Sequence, residues 1–257
     1  MELAGSVVLV TGASAGIGES AASLFAEAGA RVLVHGRDAE RTAQVAAQVH
    51  GVPLTADLAD PAAIDRLAVA AEGRHGGVDV LVLNAGRGHS GPFTAMTDAE
   101  IDHLLALDLV GQIRLVRRLL PGMLARGSGH LVVVSSIAGR TGVAGEAVYA
   151  AAKAGLDAFA ESLRLELHGS GVGVSVVVPG VVDTGFFAAR GRPYDRRSPR
   201  PVAAEEVARA IVEAAATGRA ETYVPRWLQI APSVRALAPG PFRALSARFG
   251  EDVRSQG

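Results

Sequence analysis

The stretch Val7-Val8-Leu9-Val10-Thr11-Gly12-Ala13-Ser14-Ala15-Gly16-Ile17-Gly18 decides the fold. Its first four residues form a short apolar run, the pattern of a strand buried on both faces. Glycines then crowd a turn, and an Ala-rich segment with helical spacing, Ile17 to Ala28, follows. Glycine at a strand-to-helix junction lets the backbone approach a bound group closely. The first helical turn adds unpaired N–H groups and the positive end of its dipole, which suits a pyrophosphate. A tight turn with no ligand would use the same glycines, but the place directly after the first strand favours a nucleotide.

Working outward, the alternation repeats. Apolar runs at Val32 to Val34, Val78 to Leu83, Leu131 to Val134 and Val174 to Val178, with a weaker one at Thr222 to Val224, read as further strands. Helical spacing marks Ala39 to Val49, Pro61 to Glu72, a long segment from Asp98 to Arg126, Ala147 to His168 and Ala203 to Ala216. Pro61 suits a first-turn position, and Thr97 with Glu100 forms a candidate capping box. Strand and helix in alternation call for right-handed crossovers. The expected architecture is α/β: a doubly wound, three-layer sandwich around a central parallel sheet of about seven strands. Ligands of such sheets lie beyond the carboxyl ends of the strands, so the informative residues should follow each strand.

Composition narrows the function. The 257 residues carry 25 basic and 26 acidic side chains, a net charge of −1, which lacks the electrostatic footprint of a nucleic-acid binder. With no cysteine there is no disulfide framework, thiolate metal site or cysteine nucleophile, and no metal site is expected. The N-terminus has neither a basic leader nor a long apolar run, and no stretch reaches the roughly 18 apolar residues that cross a bilayer. A cytoplasmic protein with no integral membrane segment is expected. Of the 25 basic residues 24 are arginine, and the single lysine is Lys153.

That lysine lies one helical turn after Tyr149, on the same helix face. A phenol is a poor base at neutral pH, but a nearby cation favours the phenolate and lowers its pKa, making an acid/base of the pair. An ordinary helix surface with a half-buried tyrosine is the plainer reading. It is weakened because the chain has only three tyrosines and the lone lysine falls four residues after one of them. Arginine, with its planar and strongly held charge, would not replace the compact ammonium. Ser136 ends the run Val132-Val133-Val134-Ser135-Ser136, where its hydroxyl can hold a carbonyl oxygen as charge develops. Capping or turn duty is the competing role and suits Ser135 better. No GxSxG elbow surrounds Ser136.

From about Val7 to Val224 the chain resembles the short-chain dehydrogenase/reductase family, whose fold is of the Rossmann type. Four ordered motifs carry the resemblance: TGxxxGxG at Thr11 to Gly18, Asn84-Ala85-Gly86, Ser136 with Tyr149 and Lys153 thirteen and seventeen residues on, and Pro179-Gly180 with Thr184. The resemblance implies a hydride-transfer oxidoreductase acting on a carbonyl or secondary alcohol. It gives Tyr149 the acid/base role, Lys153 the tuning of Tyr149 and the hold on a ribose, and Ser136 the carbonyl. It implies cofactor contacts at Gly12, Ser14, Ala15, Gly16, Ile17 and Gly18, at Asn84, Ala85 and Gly86, and at Pro179, Gly180, Val182 and Thr184. Asp57-Leu58, after a third strand, resembles the adenine contact. One position departs: Asp108-Leu109-Val110-Gly111 stands where the family has NLxG, with an asparagine that holds a helix irregularity and a water linked to the lysine. Asp108 keeps an acceptor, loses the amide donor and can carry charge toward Lys153, so retained activity with an altered pH profile is expected. The family also implies a homodimer or homotetramer built on the two long helices.

Cofactor preference turns on His35-Gly36-Arg37-Asp38. NAD-using members have aspartate where this chain has Gly36, and Arg37 can pair with the 2′-phosphate of NADP. Asp38 could neutralise Arg37, and Ala15 lacks the basic residue that many NADP users carry in the glycine motif. NADP is the reading, with NAD the alternative.

Expected pocket walls are Gly88 to Phe93, Ile137 to Glu146 and Val181 to Phe187, contributing Phe93, Val143, Phe186 and Phe187 for a mainly apolar substrate. His89 and Glu146 add polarity without being catalytic. The Arg190 to Arg200 segment, with five arginines, reads as a loop that could recognise an acidic group or be a solvated charge run. A 3-oxoacyl thioester is an alternative substrate, and a nucleotide-binding regulatory or scaffold protein is the alternative class. The catalytic domain is expected over residues 1–224, with its substrate loop at about 183–202. Residues 225–257 form a proline-broken extension that folds back as short helices, closing a pocket, packing in an oligomer or docking on a membrane surface.

Overall fold

The computed structural model describes residues 1–186, 190, 194 and 199–249. Seven parallel strands form the central sheet in the order β3-β2-β1-β4-β5-β6-β9. They are β1 (Val7–Val10), β2 (Arg31–Gly36), β3 (Val52–Thr55), β4 (Val80–Leu83), β5 (Gly129–Val134), β6 (Val172–Pro179) and β9 (Glu221–Val224). A separate parallel pair, β7 (Val182–Asp183) with β8 (Val202–Ala203), brings the two ends of the 183–202 segment together through Val182↔Val202 and Asp183↔Ala203.

Two apolar layers follow from the pleat. Alternate residues of a strand face opposite ways, so Val7 and Leu9 enter one core and Val8 and Val10 the other. Helices α3 (Pro61–Glu72), α5 (Gly111–Arg126) and α7 (Ala147–Glu166) cover the first face with Ile64, Leu115, Leu119, Met123 and Leu156. Helices α1 (Gly16–Glu27), α2 (Ala39–Gln48) and α8 (Ala204–Thr217) cover the second with Ala21, Ala22, Phe25, Val45, Val207 and Ile211. The expected three-layer, doubly wound α/β architecture and its seven strands are observed.

Local signals behave as the sequence suggests. Asp60 caps α3, with Pro61 in its first turn, and Thr97 with Glu100 closes the capping box of α4 (Asp98–Leu105). Two details differ. Strand β3 is absent from the apolar runs because it is an edge strand, partly exposed and carrying Pro53. The long segment from Asp98 to Arg126 is not one regular helix: α4 passes through a π-turn at Ala106–Val110 before α5. That turn holds Asp108, fully buried, at the place of the irregularity the family resemblance implies.

After β9 come a 3-10 turn at Arg226–Gln229, α9 (Ile230–Leu237) and α10 (Pro239–Phe249). Short helix α6 (Ile137–Thr141) starts at the end of β5. Among the described residues no helix is long and apolar enough to cross a membrane.

Candidate active site

Strand order reverses between β1 and β4, and their carboxyl ends are lashed together there. The Thr11 hydroxyl donates to the Val82 carbonyl (3.0 Å) and accepts the N–H groups of Asn84 (2.9 Å) and Ala85 (3.0 Å). The Asn84 amide donates back to the carbonyls of Thr11 (2.9 Å) and Gly12 (3.2 Å). A cleft of about 1100 Å³ opens at this switch point.

One end of the cleft is the glycine turn. Gly12 and Gly16 take φ of +66° and +60°, a left-handed backbone that suits glycine. Ala15 precedes α1 in extended conformation and supplies no side-chain cap, so the first N–H groups of α1 are left to a ligand. Gly12, Ser14, Ala15, Gly16 and Ile17 line the cleft; Gly18 does not. Gly18 is instead a packing residue, since a Cβ there would come within 2.2 Å of the Gly12 carbonyl.

Below the turn lies a residue whose part the sequence alone does not reveal. His35 is 2 % exposed, accepts the Gly12 N–H at Nδ1 (3.4 Å) and donates from Nε2 to the Ala56 carbonyl (3.2 Å). Burial pushes its pKa down to about 4, against the opposing pull of the Ala56 carbonyl and Asp57. The neutral imidazole thus ties the glycine turn to the end of β3.

Gly36, next along, is closed to any side chain: a Cβ would meet Thr42 Oγ1 at 2.3 Å and Ser14 Cβ at 2.9 Å. Arg37 is exposed, lines the cleft and makes no ion pair among the described residues. Asp38 does not neutralise it, because its carboxylate accepts the Arg41 N–H (3.1 Å) and pairs with the Arg41 guanidinium at 3.6 Å. Arg41, a second cation on the same rim, was not anticipated. Asp57, Leu58, Asn84, Ala85, Gly86, Pro179, Gly180, Val182 and Thr184 all line the cleft.

The other end gathers Ser136, Tyr149, Lys153 and Asp108 from three elements. Ser136 Oγ accepts the Ala138 N–H (3.2 Å) as the N-cap of α6, so the capping role falls on Ser136 and not on Ser135. Lys153 is 4 % exposed and donates to the Val134 carbonyl (3.1 Å), with Nζ 5.8 Å from the centre of the Tyr149 ring. Burial lowers the Lys153 pKa, while Asp108 and Asp157 raise it. The expectation that Lys153 lowers the phenol pKa is not met. Burial and then the charge of Asp108 hold Tyr149 above the ordinary phenol value, offset in part by a hydrogen bond with Ser136. The ammonium donates to a backbone carbonyl, and burial is the largest influence on the phenol.

Asp108 Oδ1 accepts the Arg87 N–H (2.8 Å), and Oδ2 is buried with no hydrogen-bond partner among the described residues. Burial raises its pKa to about 6, against the opposing pull of Lys153, the Arg87 N–H and the Arg87 charge.

The pocket walls are partly as expected. Gly88, Val143, Glu146 and Phe186 line the cleft, with the Phe186 and Tyr149 rings 5.7 Å apart. Phe93 does not: it is 60 % exposed on a 3-10 turn at Phe93–Ala95. His89 is not in the wall either, and Phe187 lies outside the described residues. Arg190 of the arginine-rich loop pairs with Glu146, both side chains largely buried, so this arginine is held by the protein itself. Each residue belongs to an expected pocket segment, but their pairing is not legible in the sequence, because they lie 44 residues apart.

A switch-point cleft between a glycine turn and a Ser, Tyr, Lys cluster defines a dinucleotide-binding oxidoreductase framework. The chain belongs to the short chain dehydrogenase family, whose model matches residues 6–195. It is 36% identical over 232 residues to the ketoacyl reductase HetN of Nostoc, covering 86% of this chain and 79% of that protein. A short-chain dehydrogenase from Sphingobium yanoikuyae, solved in complex with NADPH, superposes with a TM-score of 0.81 at 28% identity, over 91% of this chain and 95% of that one. One from Burkholderia phymatum, solved with NAD, gives 0.83 at 25% identity, over 92% and 94%.

Proposed function

We propose that the protein is an NADP(H)-dependent oxidoreductase that interconverts a mainly apolar carbonyl compound and its secondary alcohol. The observation that carries the reading is the convergence of Ser136, Tyr149 and Lys153 on a cleft whose far end is the uncapped start of α1. When bound, the nicotinamide group supplies or accepts hydride.

The chain's residues divide the remaining work. The free N–H groups at the start of α1 suit a pyrophosphate, Asp57 and Leu58 the adenine, and Asn84 to Gly86 with Pro179, Gly180, Val182 and Thr184 the nicotinamide end. Ser136 orients the substrate oxygen. Tyr149 gives its proton to that oxygen in reduction and takes one from the alcohol in oxidation. Its raised pKa suits a donor that releases the proton only to an oxygen gaining negative charge. Lys153, fixed by Val134, places a positive charge beside the ring and can reach a ribose hydroxyl.

NADP over NAD is supported by the closed Gly36 position, by Arg37, which makes no ion pair among the described residues, and by the second cation Arg41. The solved relatives hold either cofactor. A 3-oxoacyl thioester is the second reading for the substrate, supported by the likeness to a ketoacyl reductase.

The test is absorbance at the reduced-nicotinamide band with NADPH and NADH, against apolar ketones, aldehydes and a short 3-oxoacyl thioester. Turnover with NADPH is expected, and loss of it in Tyr149→Phe. Turnover that survives Tyr149→Phe would overturn the mechanism.

A further inference from the structure

The helices after β9 bury little of their own apolar surface. Leu228 is the anchor, 5 % exposed and packed so closely on Gly180 that a Cβ there would lie 2.6 Å from Leu228 Cδ1. Beyond it, Ile230, Val234 and Leu237 are 58 %, 41 % and 88 % exposed, with Trp227 at 53 % and Leu245 at 57 %. The spacing 230, 234, 237 puts the first three on one face of α9. The flank of α9 about a quarter turn round from these residues is turned to the domain: Ala231 is half-buried, and the Arg235 guanidinium donates to the Arg140 carbonyl of α6. The apolar face therefore points outward.

Charge identifies what covers it. From Thr222 to Gly250 there is no aspartate or glutamate, and there are four arginines, Arg226, Arg235, Arg243 and Arg248, in a chain whose net charge is −1. The extension is thus locally cationic on an otherwise acidic protein. A second copy meeting this patch about a two-fold axis would set arginines against arginines with no carboxylate to pair them. Exposed leucine, isoleucine and tryptophan on a helix bordered by arginine fit an anionic lipid surface, with the apolar side chains in the acyl boundary and the guanidiniums among headgroups.

We propose that the 226–249 extension docks on the surface of an anionic bilayer, and that Leu228 ties the docked face to the cleft wall at Gly180. This does not depend on the reaction assigned above.

The only tryptophan of the chain, Trp227, lies in the patch and reports directly. The full-length protein is titrated with vesicles of phosphatidylcholine alone and of phosphatidylcholine with one quarter phosphatidylglycerol. Trp227 emission, its quenching by brominated lipid, and co-sedimentation are the readouts. A blue shift, quenching and sedimentation are expected with the anionic vesicles, weakened at least tenfold without the anionic lipid and by high salt. Each arginine removed from the pair Arg226 and Arg243 should cost roughly fivefold in partitioning. Val234→Glu with Leu237→Glu, both at exposed positions outside the cleft, should abolish binding while leaving turnover in solution unchanged. Binding equal on both vesicle types, or none on either, would overturn the proposal. So would a Trp227 shift that follows protein concentration without lipid, since a second copy would then cover the face.

Discussion

Asp108 Oδ2 and Lys153 Nζ both border Gly86: a methyl group at Gly86 would lie 2.9 Å from the carboxylate oxygen and 3.5 Å from the ammonium. A carboxylate on a buried π-turn and the single lysine of the chain thus share one small space beside Tyr149.

The charge of Asp108 raises the pKa of Tyr149. Removing it in Asp108→Asn should move the alkaline rise of alcohol oxidation to lower pH, because the phenolate base forms more readily. The reductive direction should be less affected at neutral pH. Rate against pH for both proteins checks this, and superimposable profiles would refute it.

Stability should carry two opposed pH signatures. The Asp108 pKa rises on folding from 3.8 to about 6, so the folded state holds more protons in that window and loses stability as pH climbs through it. His35 and His130 fall on folding from 6.5 to about 4, so they cost stability as pH drops from 6.5 toward 4. His130 sits far from the cleft, paired with Ser175 at 2.8 Å. Melting temperatures measured from pH 4 to 8 should show a shallower acid loss in His130→Gln. In Asp108→Asn the acid loss between pH 6 and 4 should steepen, because the opposing contribution of the buried carboxyl is gone. Slopes unchanged in both variants would contradict these assignments.

Arg37→Ala should raise KM for NADPH by about 10- to 100-fold, the range for a charge-assisted hydrogen bond to phosphate, and leave KM for NADH within about twofold. Arg41→Ala should act in the same sense but more weakly, since Asp38 already engages it. Equal losses with both cofactors would place Arg37 away from the 2′-phosphate.

Gly36→Asp, the substitution that would introduce the acidic residue of NAD-using relatives, should fail as a cofactor switch. The new Cβ would strike Thr42 and Ser14, so the glycine turn must shift. Weaker binding of both cofactors and a lower melting temperature are expected. Improved turnover with NADH would show that the turn yields.

Much of the framework was legible because it depends on short-range pattern. Runs of Val and Leu with no polar alternation mark strands covered on both faces, and the capping signals of α3 and α4 act within four residues. β3 was hidden because an edge strand needs less apolar character. Ser136, Tyr149 and Lys153 could be singled out by spacing and by the rarity of lysine. Arg41, the Arg190 to Glu146 pair and the hold of His35 on the glycine turn could not, since each depends on which chain segments the fold brings together.

The sequence by itself determined the layer order and the place of the cleft at the carboxyl ends of the strands, because hydrophobic period and glycine placement constrain a parallel sheet strongly. Only the tertiary structure decided the electrostatics. Whether Lys153 or burial governs Tyr149 depends on the dielectric around the ring and on the Val134 carbonyl that holds the ammonium. Whether Asp108 is charged depends on the orphaned oxygen the π-turn leaves inside the protein. Desolvation is a property of packed surroundings, and no sequence spacing encodes it.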